Sequence, residues 1–149
     1  MEARQVFELA VSLLAATLLA GLVMANVWAD EITGTDGNDN LLGTKTPDII
    51  SGLPGDDKID SKEGKDQVNG NRGNDELHGV KSTDIIKGGP VLNKIFVEGN
   101  NDKLYGGTGD DDLKGGAAAD HFDCGKGNDE ILDFNLSQGD TKTKDCEDF

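Results

Sequence analysis

An aspartate returns every nine residues along this chain, and that period decides what the chain is able to fold into. The positions are Asp39, Asp48, Asp57, Asp66, Asp75, Asp84, Asn93, Asp102, Asp111, Asp120 and Asp129, with the amide at Asn93 as the one departure. Two residues after each stands an apolar side chain: Leu41, Ile50, Ile59, Val68, Leu77, Ile86, Ile95, Leu104, Leu113, Phe122 and Ile131. Glycine keeps the same phase. Five residues before the acidic position stand Gly34, Gly43, Gly52, Gly70, Gly79, Gly88, Gly106 and Gly115, with Ser61, Val97 and Cys124 in the remaining places. Glycine at fixed offsets marks turns whose backbone visits positive φ or passes close to a ligand. A single apolar residue between polar neighbours reads as a very short strand with one face inward. Such a strand cannot persist alone, but stacked repeats merge the thin apolar rows into one continuous core. The expectation is an all-β solenoid of short strands joined by Gly/Asp-rich turns.

Composition bounds what such a rod can meet. The chain carries 29 acidic against 14 basic residues, a formal net charge of −15, and aromatic residues make up only 5% of it. Low aromatic content and high charge alone would permit a disordered acidic chain. A disordered tract, however, has no reason to hold aspartate and a large apolar side chain in phase from residue 39 to residue 131. The charge repels a nucleic-acid backbone and disfavours an anionic membrane surface, so neither is expected as a partner. It also resists compaction unless something neutralises it.

One repeat, Gly106-Gly107-Thr108-Gly109-Asp110-Asp111-Asp112-Leu113-Lys114, shows the pattern Gly-Gly-x-Gly-x-Asp-x-apolar-x almost whole. From residue 34 to about 133 the chain resembles the hemolysin-type (RTX) calcium-binding nonapeptide repeats of secreted bacterial toxins, proteases and related proteins. The resemblance implies a right-handed parallel β-roll in which nine residues make one turn and one strand, so that two repeats complete a coil. It also implies several Ca2+ ions, lying between loops stacked on the same side and eighteen residues apart.

That step sorts the loops into two columns. The first holds Asp39, Asp57, Asp75, Asn93, Asp111 and Asp129, preceded at two residues by Gly37, Gly55, Gly73, Val91, Gly109 and Gly127. The second holds Asp48, Asp66, Asp84, Asp102 and Asp120, preceded there by Thr46, Gly64, Ser82, Asn100 and Ala118. A calcium ion needs six to eight oxygens, which carboxylates of two loops and the carbonyls between glycines can supply. β-Branched Thr46 resists a left-handed backbone, so the first column is expected to carry the better sites: Asp39 with Asp57, Asp57 with Asp75, and Asp111 with Asp129. Asn93, with Pro90, Val91 and Leu92 around it, should break or weaken that column. The second column either binds weakly or only makes turns. Aspartate and glycine are ordinary turn formers, but like charges stacked without cations would destabilise the coil. Metal binding is therefore expected to couple to folding.

The ends read differently. Residues 9–29 are without charge and end in Val27-Trp28-Ala29 before Asp30, the pattern of a secretory signal, or, at this length, of a membrane anchor. The expected organisation is a leader over 1–29, the calcium-binding roll over 30–133 and a C-terminal cap over 134–149. In the cap, Phe134, Leu136 and Phe149 are candidates to cover the open end of the solenoid. Cys124 and Cys146 are the only cysteines. In an exported chain two cysteines most simply form a disulfide, the minor alternative being a zinc site with His121 nearby. His78 and His121 fall at different repeat offsets, and no nucleophile elbow, zincin helix or phosphate loop occurs, so no catalysis is expected. The reading is a secreted or surface-anchored calcium-binding repeat protein. The alternative is a calcium-stiffened adhesion or matrix scaffold with a protein or glycan partner at the cell surface.

Overall fold

The computed structural model describes residues 29–147. The expected leader, apart from Ala29, and the expected capping residue Phe149 lie outside the described residues. All regular structure among them is β. One parallel sheet of seven strands runs in chain order through β1 (Asp30–Thr33), β3 (Asp48–Pro54), β5 (Gln67–Arg72), β7 (Ile85–Pro90), β9 (Lys103–Thr108), β11 (His121–Lys126) and β13 (Thr141–Lys142). The facing parallel sheet has six: β2 (Asn40–Leu42), β4 (Lys58–Asp60), β6 (Glu76–His78), β8 (Lys94–Phe96), β10 (Asp112–Lys114) and β12 (Glu130–Ile131). The chain alternates between the sheets, one nonapeptide at a time, and so winds a β-solenoid of about six coils.

Register follows the repeat. Ile50 lies beside Val68, Leu41 beside Ile59, Ile59 beside Leu77 and Ile86 beside Leu104, each pair eighteen residues apart. Because alternate side chains on a strand face opposite ways, every second-position apolar residue enters the space between the sheets. From Ile50 to Phe122 these residues are at most 2% exposed. Leu41 and Ile131, at the two ends of the row, are only half-buried.

The two sheets are not alike. Strands of the seven-stranded sheet run on into the following turn, where Leu53 pairs with Asn71 and Gly89 with Gly107. Strands of the other sheet stop after two or three residues, and on that edge the turns meet only in the isolated bridges Glu63–Lys81 and Gly99–Ala117.

At the C-terminal end the eighteen-residue register is interrupted after Ile131. It resumes: β13 pairs with β11, His121 beside Thr141, a step of twenty residues instead of eighteen. The two extra residues belong to the capping loop. At the end of the row, Asp133 accepts hydrogen bonds from the amides of Gly115 (2.9 Å) and Gly116 (2.7 Å). Its carboxylate thus takes the place of the carbonyl that a further coil supplies elsewhere, as His78 does to Ser61 N at 2.9 Å. Phe134 packs edge-on against Phe122 with centroids 6.1 Å apart. Leu136 does not share in the covering; it is 76% exposed. Cys124 and Cys146 form a disulfide, which removes them from any zinc site. Cys124 stands where other repeats have an inward-facing glycine, and both sulfurs belong to the core.

Candidate metal sites

The turn that brings each aspartate to the edge of the solenoid also buries it. Every repeat aspartate from Asp48 to Asp129 is at most 2% exposed. The side chains are held by a ladder along the axis: from Asp57 onward each aspartate Oδ1 accepts the amide N–H of the Asp or Asn one coil earlier. In the first column Asp57 accepts from Asp39, Asp75 from Asp57 and Asp129 from Asp111, all at 2.9 Å. In the second Asp66 accepts from Asp48 and Asp84 from Asp66 at 2.9 Å, Asp102 from Asp84 at 2.7 Å and Asp120 from Asp102 at 2.8 Å.

The second oxygen is different. Oδ2 of Asp57, Asp75, Asp111 and Asp129 in one column, and of Asp66, Asp84, Asp102 and Asp120 in the other, is buried without a hydrogen-bond partner. A buried polar atom in that state costs roughly 1–3 kcal/mol, and more when charged. Beside Asp57, Asp75, Asp84, Asp111 and Asp120 a glycine five residues upstream makes room for it. A methyl group on Gly52 would lie 2.3 Å from Asp57 Oδ2 and 2.8 Å from the carbonyl oxygen of Gly70; one on Gly70 would meet Asp75 Oδ2 and Gly88 O at the same distances. Each such cradle therefore gathers a carboxylate oxygen of its own loop and a carbonyl oxygen of the next coil. Farther round the turn, Gly73 has a φ of 132°, and a methyl there would lie 1.8 Å from Gly55 O. At Gly73 a side chain would collide with the neighbouring turn, and the absence of one lets the two loops stack.

Electrostatics agree with the geometry. Burial pushes the Asp84 and Asp102 carboxyls up to about 7 and those of Asp75, Asp111 and Asp120 up to about 6. Asp57, Asp66 and Asp129 are raised for the same reason. The neighbouring carboxylates of each stack add to the effect, and the amide N–H bond opposes it. Strands about 4.8 Å apart set unit charges where they repel by roughly 3–4 kcal/mol at an effective dielectric of about 20. A cation between the loops reverses the sign of that term.

The model of the RTX calcium-binding nonapeptide repeat matches residues 33–68, 62–90 and 98–131, more than half of the chain. The chain belongs to this family. No curated protein and no solved structure matches it. The RTX repeat is a structural calcium-binding unit, not a catalytic one, and the residues present fit that ion. Calcium is a hard cation that takes oxygen ligands in flexible geometry. Among the described residues no three His, Cys, Asp or Glu side chains converge on one point, so an ion here would complete its shell from the turn carbonyls. Each of the eight partnerless carboxylate oxygens would offer such a shell one ligand.

The ten aspartates read from the RTX repeat are not equivalent. Asp39 and Asp48, first in their columns, already have partners at Oδ2: Thr35 Oγ1 at 3.0 Å and Thr44 N at 2.6 Å. Those two threonines cap the ladders at the N-terminal end. The other eight carry the open oxygens, four on each edge, so burial and bonding do not separate the columns. What does separate them is a second ladder that counting aspartates misses. One residue before the aspartate on the first edge, Asn38 accepts from Asp56 N (2.9 Å), Asp56 from Asn74 N (2.8 Å) and Asp110 from Asn128 N (2.9 Å). The sequence signal is the Asn/Asp recurrence at 38, 56, 74, 110 and 128, interrupted by Leu92. The second edge has Pro47, Lys65, Thr83, Asn101 and Ala119 there, and only Asn101 bonds in this way, to Ala119 N at 3.3 Å. A further aspartate was hidden by the shifted register: Asp140 is 4% exposed and accepts from Asp120 N at 3.0 Å, ending the second column. Its Oδ2 is bonded by Asn135 N at 2.8 Å.

Proposed function

We propose that this RTX protein is exported and binds several calcium ions between its stacked loops, with folding stabilised by the ions. The observation that carries this reading is the set of buried, partnerless Oδ2 atoms on both edges. Asp57, Asp75, Asp111 and Asp129 would hold ions on the first edge, and Asp66, Asp84, Asp102 and Asp120 on the second. The exposed first-edge carboxylates Asp56 and Asp110 favour that edge for capture from solution. The Cys124–Cys146 disulfide supports an oxidising destination, as does the uncharged N-terminal segment. The test is a calcium titration followed by circular dichroism and calorimetry. A cooperative gain of β signal with heat of binding is expected; a fold already complete in chelator and indifferent to calcium would defeat the reading.

A scaffold role has one observation in its favour. On the outer face of the seven-stranded sheet, Ile49, Gln67, Asn69, Ile85, Lys87 and Tyr105 line a shallow depression with no carboxylate in its lining, in a chain of 29 acidic residues. The facing sheet instead carries the ion pairs Lys58–Glu76 and Lys94–Asp112. Calcium-dependent capture of a cell-surface protein or glycan, lost in Tyr105→Ala, would establish the scaffold; capture unaffected by both calcium and Tyr105→Ala would remove it.

A further inference from the structure

One coil of the roll departs from its neighbours on both edges at once. At the first edge Asn93 replaces the aspartate and is fully buried. Its Oδ1 accepts from Asp75 N at 3.2 Å, and its Nδ2 donates to Val91 O at 2.9 Å and to Asp111 Oδ1 at 3.1 Å. Both heteroatoms of the amide are therefore used, where each neighbouring carboxylate leaves an oxygen over. The cradle is filled as well: a methyl on Gly88 would meet Asn93 Nδ2, a donor, at 2.7 Å. The same amide holds its own turn. Val91 has a φ of 68°, which a β-branched side chain resists, and the bond to Val91 O closes that strained loop from inside. Leu92 breaks the outer Asn/Asp ladder at this level.

At the second edge of the same coil, the position five residues before Asp102 is Val97, where that column elsewhere has Gly43, Ser61, Gly79 or Gly115. Val97 is 2% exposed and joins Ile86, Ile95 and Leu104 in the core; its Cγ1 lies 3.0 Å from where a methyl on Gly79 would stand. Val97 thus places an apolar side chain where the other members of that column have none or, at Ser61, a hydroxyl. The match to the RTX repeat is also silent over 91–97.

We propose that the coil segment over 88–97 is a metal-independent joint, folded by the Asn93 amide and by extra apolar packing, which divides the roll into two calcium-loading blocks. This rests on the calcium reading above. One block is built around Asp57, Asp66, Asp75 and Asp84, the other around Asp102, Asp111, Asp120 and Asp129. The joint is the part of the roll that keeps its structure without calcium, and each block zips outward from it as ions arrive.

Hydrogen exchange of the whole chain in EGTA, read by mass spectrometry, tests this. Segment 85–104 should exchange at least about tenfold more slowly than segment 48–72, the difference closing in excess calcium as both become protected. Equal exchange in EGTA, with calcium still taken up, would overturn the joint and leave calcium binding standing. A chain that takes up no calcium would overturn both. Asn93→Asp should raise the bound calcium by at least one ion per chain in native mass spectrometry and abolish the protection in EGTA; an unchanged ion count refutes the assignment. Val97→Gly keeps the test decisive should Asn93→Asp not fold: protection of 85–104 in EGTA should fall several-fold, and unaltered protection counts against the joint.

Discussion

Asp75→Asn should stabilise the protein in chelator and destabilise it in calcium, a change of sign that no merely structural role for Asp75 produces. The amide keeps Oδ1, which accepts from Asp57 N at 2.9 Å, and replaces the partnerless Oδ2 by a donor. Asn93 shows where that donor goes, since its own Nδ2 reaches the carbonyl two residues back and the Oδ1 of the next coil; at residue 75 the corresponding acceptors are Gly73 O and Asn93 Oδ1. A carboxyl raised from 3.8 to about 6 in the folded state costs the calcium-free fold at most about 3 kcal/mol at a pH near 8, at about 1.4 kcal/mol per pH unit, and less by the share that solvent screens. Allowing for relaxation, the substitution should return about 1–3 kcal/mol in EGTA. Losing one calcium site removes about 4 kcal/mol when free calcium exceeds Kd by about a thousandfold. The variant should then be less stable than the parent in calcium by about 1–3 kcal/mol. Urea unfolding followed by circular dichroism measures both arms, with the same concentration of trimethylamine oxide in each to bring the calcium-free state into range. A shift of the same sign in EGTA and in calcium would refute the reasoning.

Two further outcomes follow from the same structure. The stacked carboxyls are raised in the folded state, so between about pH 4 and pH 7 the calcium-free fold binds more protons than the unfolded chain. Its stability therefore rises as pH falls through that window, while calcium, which must displace those protons, binds more weakly. Calcium added near pH 6.5 should release protons in a pH-stat, and zero release would contradict this. Separately, the Cys124–Cys146 bond closes a loop of sequence separation 22, worth about 3 kcal/mol on loop-entropy grounds. A Cys124→Ser, Cys146→Ser double variant should lose about that much, with faster hydrogen exchange confined to β11 and the cap. Unchanged stability would show that the cap is held by its other contacts.

The nine-residue clock makes most of this fold legible in the sequence. The row from Leu41 to Ile131 is a consequence of phase, whereas the eighteen-residue parallel register and the two aspartate columns rest on the resemblance to the RTX repeat. Phase counting fails where the chain changes length or where a partner comes from a non-repeating residue. Asp140 was missed because two extra residues in the cap move it off the count, although the backbone returns it to the Asp120 ladder. The capped state of Asp39 and Asp48 depends on Thr35 and Thr44, whose hydroxyl and amide contacts depend on conformation and not on spacing. Thr46 suggested a poorer second edge, yet among the described residues the open oxygens divide equally between the edges. The difference there lies in the Asn/Asp ladder beside the first column and in how far the strands of one sheet run into their turns.

The upward-pointing bond from each aspartate amide to the carboxylate of the following coil gives the rod a direction and a unit of length. Any coil leaves an unmet N–H on its C-terminal side, which only another coil or a terminator such as Asp140 can answer. Insertion of eighteen residues lengthens such a rod by one layer of about 4.8 Å and leaves both ends as they were. Insertion of nine swaps every downstream loop to the opposite edge and strands the terminator on the wrong column. Length in this architecture is thus free to change in even numbers of repeats, and the cap acts as the ruler's fixed end.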